Sequence, residues 1–362
     1  MMIAKIQRRE NLKSWMAAQA VADVSAGPHA ITRVQAFSSP DAAVTPYTLL
    51  QIDTRSGITG YGECKPLLRA DVQALSQLIG RPAYAYEALT PLAPLPARGG
   101  LNMALLDIVG KATGAPVYRV LGGPTRFKAR AIGRLAGSSD DELQQDLLRQ
   151  SALGIRAFLI PVVKPPAPNQ GSHFVKIHVQ RIKSLKAAMP QADFAFEGTN
   201  QLSSGDASSL AAAIEPLHPL WFDEPCPVTN LDTIRKIAGE TVIPLGFGRT
   251  IVEPGTFQDL LREGLIDLVR PGMQLYGISG VCRIANMAET YYTAVAPWHQ
   301  AGPISTAATL HAAASMPNFF IFEVPRSGVG ATIIRDGFFE LPKGPGLGVQ
   351  VDTKDWERNR IA

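Results

Sequence analysis

Three apolar runs in this 362-residue chain, DFAFE, LWFDEP and IPLGFGR, each end on or close to a charged residue: Glu197, Asp223 and Arg249. Helix-like segments separate the runs, so the three charges stand at the ends of successive strand candidates. In parallel α/β architectures the strand-end loops share one face, and side chains placed there converge. Two carboxylates and a guanidinium meeting at one point have three uses. They hold a divalent cation through the acid oxygens, bind a substrate, or pair their own charges.

The elements that position these residues follow from the periodicity. ITRVQAF, YTLLQIDT and ITGYGE read as antiparallel strands, the last two joined by a turn at Arg55-Ser56-Gly57. ADVQALSQLIG and GLNMALLDIVGKATG carry apolar residues at helical spacing. After LGGPTR the rhythm changes, and strand candidates alternate with helices as far as Pro325. The strands are ARAIGRLA, RAFLIPVV, DFAFEG, LWFDEP, VIPLGFG, IDLVRPG, YTAVAPW and FFIFEVP. Eight strands alternating with helices imply parallel pairing and right-handed crossovers, and a barrel is the economical closure. We therefore expect an N-terminal extension (1–28), an α+β domain (29–125), a (β/α) barrel (126–325) and a C-terminal segment (326–362) that returns to the first domain. GPGLG near the end lacks the Lys-Ser/Thr and helix start of a phosphate loop.

Composition excludes several classes. With 46% hydrophobic and 18% charged residues the chain is globular, and a net charge of +4 comes without any dense Lys/Arg run, so no nucleic-acid partner is expected. No run reaches the roughly 20 apolar residues of a membrane span. Cys64, Cys226 and Cys282 are too widely spaced for a disulfide framework or a paired CxxC zinc site. The expected location is the cytoplasm. The alternative is export, because Arg8-Arg9 followed by WMAAQAVADVSAG is similar to a twin-arginine signal, although Asn11, Gln19 and Asp23 depart from that pattern.

Six segments together carry a family likeness: YGE at 61–63, ALLDIVGKATGAPVYRVLGG at 104–123, DEPCPVTNLDTIRKIA at 223–238, APWHQAGPIST at 296–306, PNFFIFE at 317–323 and PGLGV at 345–349. From about Ile31 to Val351 the chain resembles the enolase superfamily, in its mandelate racemase/muconate lactonizing enzyme-like, galactonate dehydratase-like branch. The resemblance implies an α/β fold, a modified (β/α)7β TIM-type barrel under an α+β capping domain. It also implies a homo-oligomer and Mg²⁺-assisted proton abstraction next to the carboxylate of an acid sugar.

Position by position, the resemblance breaks at the chemistry. The family's three metal carboxylates correspond to Glu197, Asp223 and Arg249, and an arginine has no acceptor to offer a cation. A unit charge about 4 Å away costs about 4 kcal/mol at an effective dielectric of 20, and a divalent ion roughly twice that. Arg249 is expected to bridge the two acids in the ion's place. The usual bases correspond to Leu159 and Pro161, to Gly272 and Trp298, and to Thr199. Glu323 does match a family position that hydrogen-bonds substrate. His299, one residue past the lost histidine, is a candidate shifted base. Lys164 reads as a solvated charge in KPPAP, and His173 and His178 as surface or packing residues.

The expected function is thus that of a divergent homologue without Mg²⁺-dependent dehydratase or racemase chemistry, possessing a site for an acid sugar or another small carboxylate. Arg249, Trp298 and Glu323 are its candidate substrate contacts, and Glu323 and His299 its candidate catalytic groups. Glu197 and Asp223 are vestigial metal positions, and no cofactor is expected unless that site still takes Mg²⁺. The alternatives are an active lyase or isomerase with a relocated site, and a structural subunit of an oligomer.

Overall fold

The structure, a computed structural model, describes residues 27–39, 45–163, 171–229, 231–325, 332–352 and 354–361. The Arg8-Arg9 segment and Lys164 lie outside these residues. Among the described residues, no helix is long and apolar enough to cross a membrane.

The first domain is a three-stranded antiparallel sheet, β1 (Ile31–Ser38), β2 (Thr48–Thr54) and β3 (Thr59–Cys64), covered by a long helix, α1 (Arg98–Ala112). The helix lies so close to β3 that a Cβ on Gly62 would stand 1.9 Å from the Gly100 carbonyl oxygen, so the contact demands glycine there. Leu50, Ile52, Leu101, Leu105 and Ile108 fill the space between sheet and helix.

Among the described residues of the second domain, eight parallel strands alternate with seven helices. They run β4 (Lys128–Arg134), α2 (Asp140–Ser151), β5 (Ala157–Pro161), α3 (Gly171–Ala188), β6 (Asp193–Glu197) and α4 (Ser204–Ile214). Next come β7 (Phe222–Asp223), α5 (Leu231–Glu240), β8 (Leu245–Phe247), α6 (Pro254–Arg262) and β9 (Leu268–Val269). The series ends with α7 (Met273–Glu289), β10 (Ala294–Val295), α8 (Pro303–Ser315) and β11 (Phe322–Glu323). Neighbouring strands pair in sequence from β4 to β10. Val295 bridges Phe319, just before β11, and β11 pairs with β4, which closes the barrel. The fold is the capped (β/α)7β barrel that the family likeness implies.

Side chains alternate along each strand, and the inward set explains where the charges lie. Ile132, Ala195, Trp221, Leu268, Ala296 and Ile321 belong to one apolar layer inside the barrel. Two residues further along the same strands stand Arg134, Glu197, Asp223, Arg270, Trp298 and Glu323. A layer of charge therefore caps a layer of hydrocarbon at the C-terminal mouth.

Two features differ from the sequence expectation. The segment GVCRIANMAETY reads as a helix from Gly280, whereas α7 begins at Met273 and continues through a kink at Gly277, where φ is +66° and ψ is −176°. Asn102 of α1 fills the break, accepting from Ser279 N at 3.0 Å and donating to Ser279 Oγ at 2.6 Å. The C-terminal segment also contributes to the barrel. In the hairpin of β12 (Ile334–Arg335) and β13 (Phe338–Glu340), β13 pairs antiparallel with β4 and β12 lies outside it. Leu347 N then donates to Asp107 of α1 at 2.8 Å, and Ile361 N to the Ala36 carbonyl of β1 at 2.9 Å.

Candidate functional site

The mouth of the barrel holds an alternating chain of six charged side chains. Arg134, at the end of β4, donates through Nε to Glu197 Oε2. Arg249, in the loop after β8, donates from Nη1 to Glu197 Oε1 at 2.5 Å, and its Nη2 lies 3.1 Å from Asp223 Oδ2. Arg270, just past β9, donates from Nη1 to the same Asp223 oxygen and from Nη2 to Glu323 Oε2 at 2.7 Å. Trp221 Nε1 completes the set, donating to Asp223 Oδ1 at 3.1 Å. The order is Arg134, Glu197, Arg249, Asp223, Arg270, Glu323, and the charges cancel.

Strand register explains the contact between the first acids and Arg249. Glu197 pairs directly with Asp223, and Asp223 with Gly246, so the two carboxylates stand level at adjacent strand ends. Glu224 fixes the loop that follows β8. Its Oε1 accepts from Gly248 N at 2.6 Å and from Arg249 N at 2.8 Å. Of the two acids before Pro225, Asp223 therefore faces the charged chain and Glu224 clamps the backbone that carries Arg249.

Burial makes these pairings matter. Burial alone raises the Glu197 carboxyl, but Arg249 and Arg134 outweigh it and hold the group below the usual carboxylate range. Burial likewise opposes the charge on Arg249, and Asp223 and Glu197 more than offset it, so the guanidinium is raised above its ordinary value. Glu224 moves the other way, raised by burial and by the adjacent Asp223 charge.

Beside this chain lies a cavity of about 240 Å³, lined among others by Arg134, Glu197, Arg249, Trp298, His299 and Glu323. Thr45 of the first domain also reaches it, as do Thr199, Asn200, Thr250 and Gln300. The Arg249 guanidinium carbon sits 5.4 Å from the centre of a Trp298 ring, a cation–π approach that leaves Trp298 at the cavity wall. Gln274, at the start of α7, accepts from Gln300 N at 3.2 Å and steadies the loop beyond Trp298.

His299 is held differently from a general base. Its Nδ1 accepts from Ala301 N at 3.3 Å, and its Nε2 lies 3.3 Å from Thr306 Oγ1. Burial pushes the imidazolium down to about 3. Both nitrogens are thus engaged in holding the loop to α8. His178 is buried against the edge of Phe174, with ring centroids 4.9 Å apart, and His173 is exposed on α3.

The sequence candidates omit Arg134 and Arg270. The alternation of their strands marks both, because each lies two residues beyond an inward apolar residue, Ile132 or Leu268. Their presence bears on the Mg²⁺ that the family likeness implies. That ion takes oxygen ligands, yet Glu197 and Asp223 each already contact two guanidinium groups and Glu323 contacts one. Among the described residues, no group of three or more His, Cys, Asp or Glu side chains is placed to hold a metal ion. The donor set does not fit a divalent cation.

Comparison with known proteins places this geometry in a family. Residues 30–122 match the mandelate racemase / muconate lactonizing enzyme N-terminal domain, and residues 143–356 match the enolase C-terminal domain-like family. A D-galactonate dehydratase from Variovorax paradoxus (strain S110) is 28% identical over 344 residues, covering 85% of this chain and 89% of that protein. Among solved structures, a mandelate racemase/muconate lactonizing enzyme-like protein from Roseovarius sp. TM1035 superposes with a TM-score of 0.83 at 27% identity, covering 91% of this chain and 95% of that one. An enolase from Agrobacterium radiobacter, solved with bound Na and L-malate, gives 0.84 at 27% identity and the same coverage. The chain belongs to the enolase superfamily, within its mandelate racemase/muconate lactonizing enzyme-like, galactonate dehydratase-like branch.

Proposed function

We propose that this protein binds a small carboxylate of the acid-sugar type at the barrel mouth and does so without a divalent metal, having lost the Mg²⁺-dependent chemistry that the family likeness implies. The observation that carries this reading is the Arg249 guanidinium between Glu197 and Asp223, where it supplies the positive charge that two buried acids require. The cavity beside it has guanidinium, amide and hydroxyl groups for an anionic polyol, and its volume of about 240 Å³ suits a small molecule. The name carried by the Variovorax relative makes D-galactonate the first ligand to try.

The test is metal analysis of the purified protein together with D-galactonate binding and turnover, each measured with Mg²⁺ and with EDTA. The expected result is binding that EDTA does not alter and no loss of water from the sugar acid. Stoichiometric Mg²⁺, or turnover that requires it, overturns the proposal.

One observation favours a second reading, a metal-independent lyase or isomerase. Glu323 lines the cavity and gives only one of its oxygens, Oε2, to Arg270. Its other oxygen is then available as a base, and Arg134, which uses only Nε on Glu197 and lines the same cavity, has its terminal nitrogens available to stabilise the enolate charge. His299 does not serve in that scheme, since both its ring nitrogens are engaged. Turnover that persists in EDTA and vanishes in Glu323→Gln selects this reading over simple binding.

A further inference from the structure

The alternating chain has two ends, and both face the cavity. At one end Arg134 uses Nε on Glu197, and its two terminal nitrogens have no partner among the described residues. At the other end Glu323 uses Oε2 on Arg270, and its Oε1 has no partner among the described residues. Arg249 and Arg270 differ from Arg134 in that each spends both terminal nitrogens on carboxylates. The unspent cation is therefore Arg134, and the unspent acceptor is Glu323.

These two ends are neighbours across the seam that closes the barrel. β11 lies parallel to β4 with Glu323 level with Ile132. Arg134 is two residues further along β4 on the same inward face, an axial offset of about 6–7 Å. No ion pair joins the two side chains, which are 15% and 9% exposed. The chain of charges thus runs round the mouth from β4 and returns to β11, leaving a gap with a cation on one side and a carboxylate on the other.

We infer that the ligand closes this gap. Its carboxylate takes the forked outer edge of Arg134, which matches a carboxylate bidentately. A proton donor a few bonds away, hydroxyl or ammonium, takes Glu323 Oε1. The inference rests on the small-carboxylate reading above and narrows it to a monocarboxylate with a nearby donor. A neutral polyol leaves Arg134 unanswered, and a second carboxylate meets Glu323 as a like charge. The site therefore selects sugar monoacids against diacids through Glu323, and acids against alcohols through Arg134.

Calorimetric titration of the full-length protein with gluconate, glucarate and glucitol separates these charge types on one carbon skeleton. Glucosaminate, with an ammonium in place of one hydroxyl, distinguishes the two kinds of donor. Gluconate or glucosaminate is expected to bind about 10- to 100-fold more tightly than glucarate or glucitol, the scale of one charge-assisted hydrogen-bonded contact. Arg134→Gln is expected to lose a similar factor for the monoacids. Glu323→Gln is expected to bring glucarate close to gluconate. Glucarate binding as well as gluconate in the wild type overturns the inference without recourse to any variant, as does unchanged gluconate affinity in a folded Arg134→Gln protein. If the wild type binds none of the acids, the small-carboxylate reading itself fails and takes this inference with it.

Discussion

Arg249 Nη1 lies 2.5 Å from Glu197 Oε1, and the two side chains retain only 8% and 3% of their exposure. At that depth neither charge is tolerated alone. Arg249→Met leaves Asp223 with Arg270 and Glu197 with Arg134, but the acids lose their shared cation. Breaking a buried pair in this way costs about 3–5 kcal/mol. Urea unfolding should show that loss, and Arg249→Lys a smaller one, because a lysine keeps the charge without the fork. If Glu197→Gln in the Arg249→Met background recovers part of the stability, the two residues are coupled as the geometry requires.

The barrel is legible in the sequence because its strands and helices alternate and its inward positions are apolar. The charged layer is only partly legible. Glu197 and Asp223 stand out in short motifs, whereas Arg134 in ARAIGRLA and Arg270 in IDLVRPG look like ordinary strand-end charges until the register shows that both point inward. The kink in α7 is hidden for a different reason. Gly277 reads as a helix breaker, and the group that compensates for it, Asn102, belongs to a helix of the other domain. The sequence puts His299 at the active face, where the cavity lies, but one chain alone does not reveal that Ala301 and Thr306 occupy both its nitrogens.

Asn102 joins the two domains at that kink. It donates to Thr90 Oγ1 at 3.3 Å and to Ser279 Oγ, and accepts from Ser279 N. Asn102→Ala orphans buried groups on α7, at about 1–3 kcal/mol for each. Gly277→Ala is expected to be at least as harmful, since φ is +66° and a Cβ there would stand 2.5 Å from Asn102 Cβ. Thermal unfolding of both variants checks this. A neutral Asn102→Ala would show that the joint contributes nothing.

Acid should destabilise the fold through its buried histidines. Burial lowers His299 to about 3, and His178 and His311 to about 4. A depressed histidine contributes stability that is fully present above its unfolded value, about 6.5, and is lost as pH falls towards the folded value. Each such group adds a slope of up to about 1.4 kcal/mol per pH unit in that window. Denaturant unfolding at a series of pH values from 7 to 4 should show the decline, and His178→Leu, where packing permits it, should reduce the slope by one proton.

Glu63 opposes that trend. It reaches from β3 to the start of α8, where it accepts from Ile304 N at 3.2 Å and from Ser305 N at 2.9 Å, and it is 1% exposed. Burial pushes its carboxyl up to about 7, against the pull of those backbone donors. A raised folded value means that the stabilising contribution is fully present below the unfolded value, near 4.5, and is lost as pH rises through about 7. Above that pH the wild type keeps a charged carboxylate in a dry interface, at a cost of about 3 kcal/mol relative to acid. Glu63→Gln removes the titration while keeping one acceptor for the helix start. Its stability relative to wild type should therefore rise from about pH 4.5 to about pH 7, between the unfolded and folded values of Glu63, and level off above that. A difference between the two proteins that stays constant across that range would show that Glu63 does not titrate there, and that the helix-start donors, not burial, set its charge.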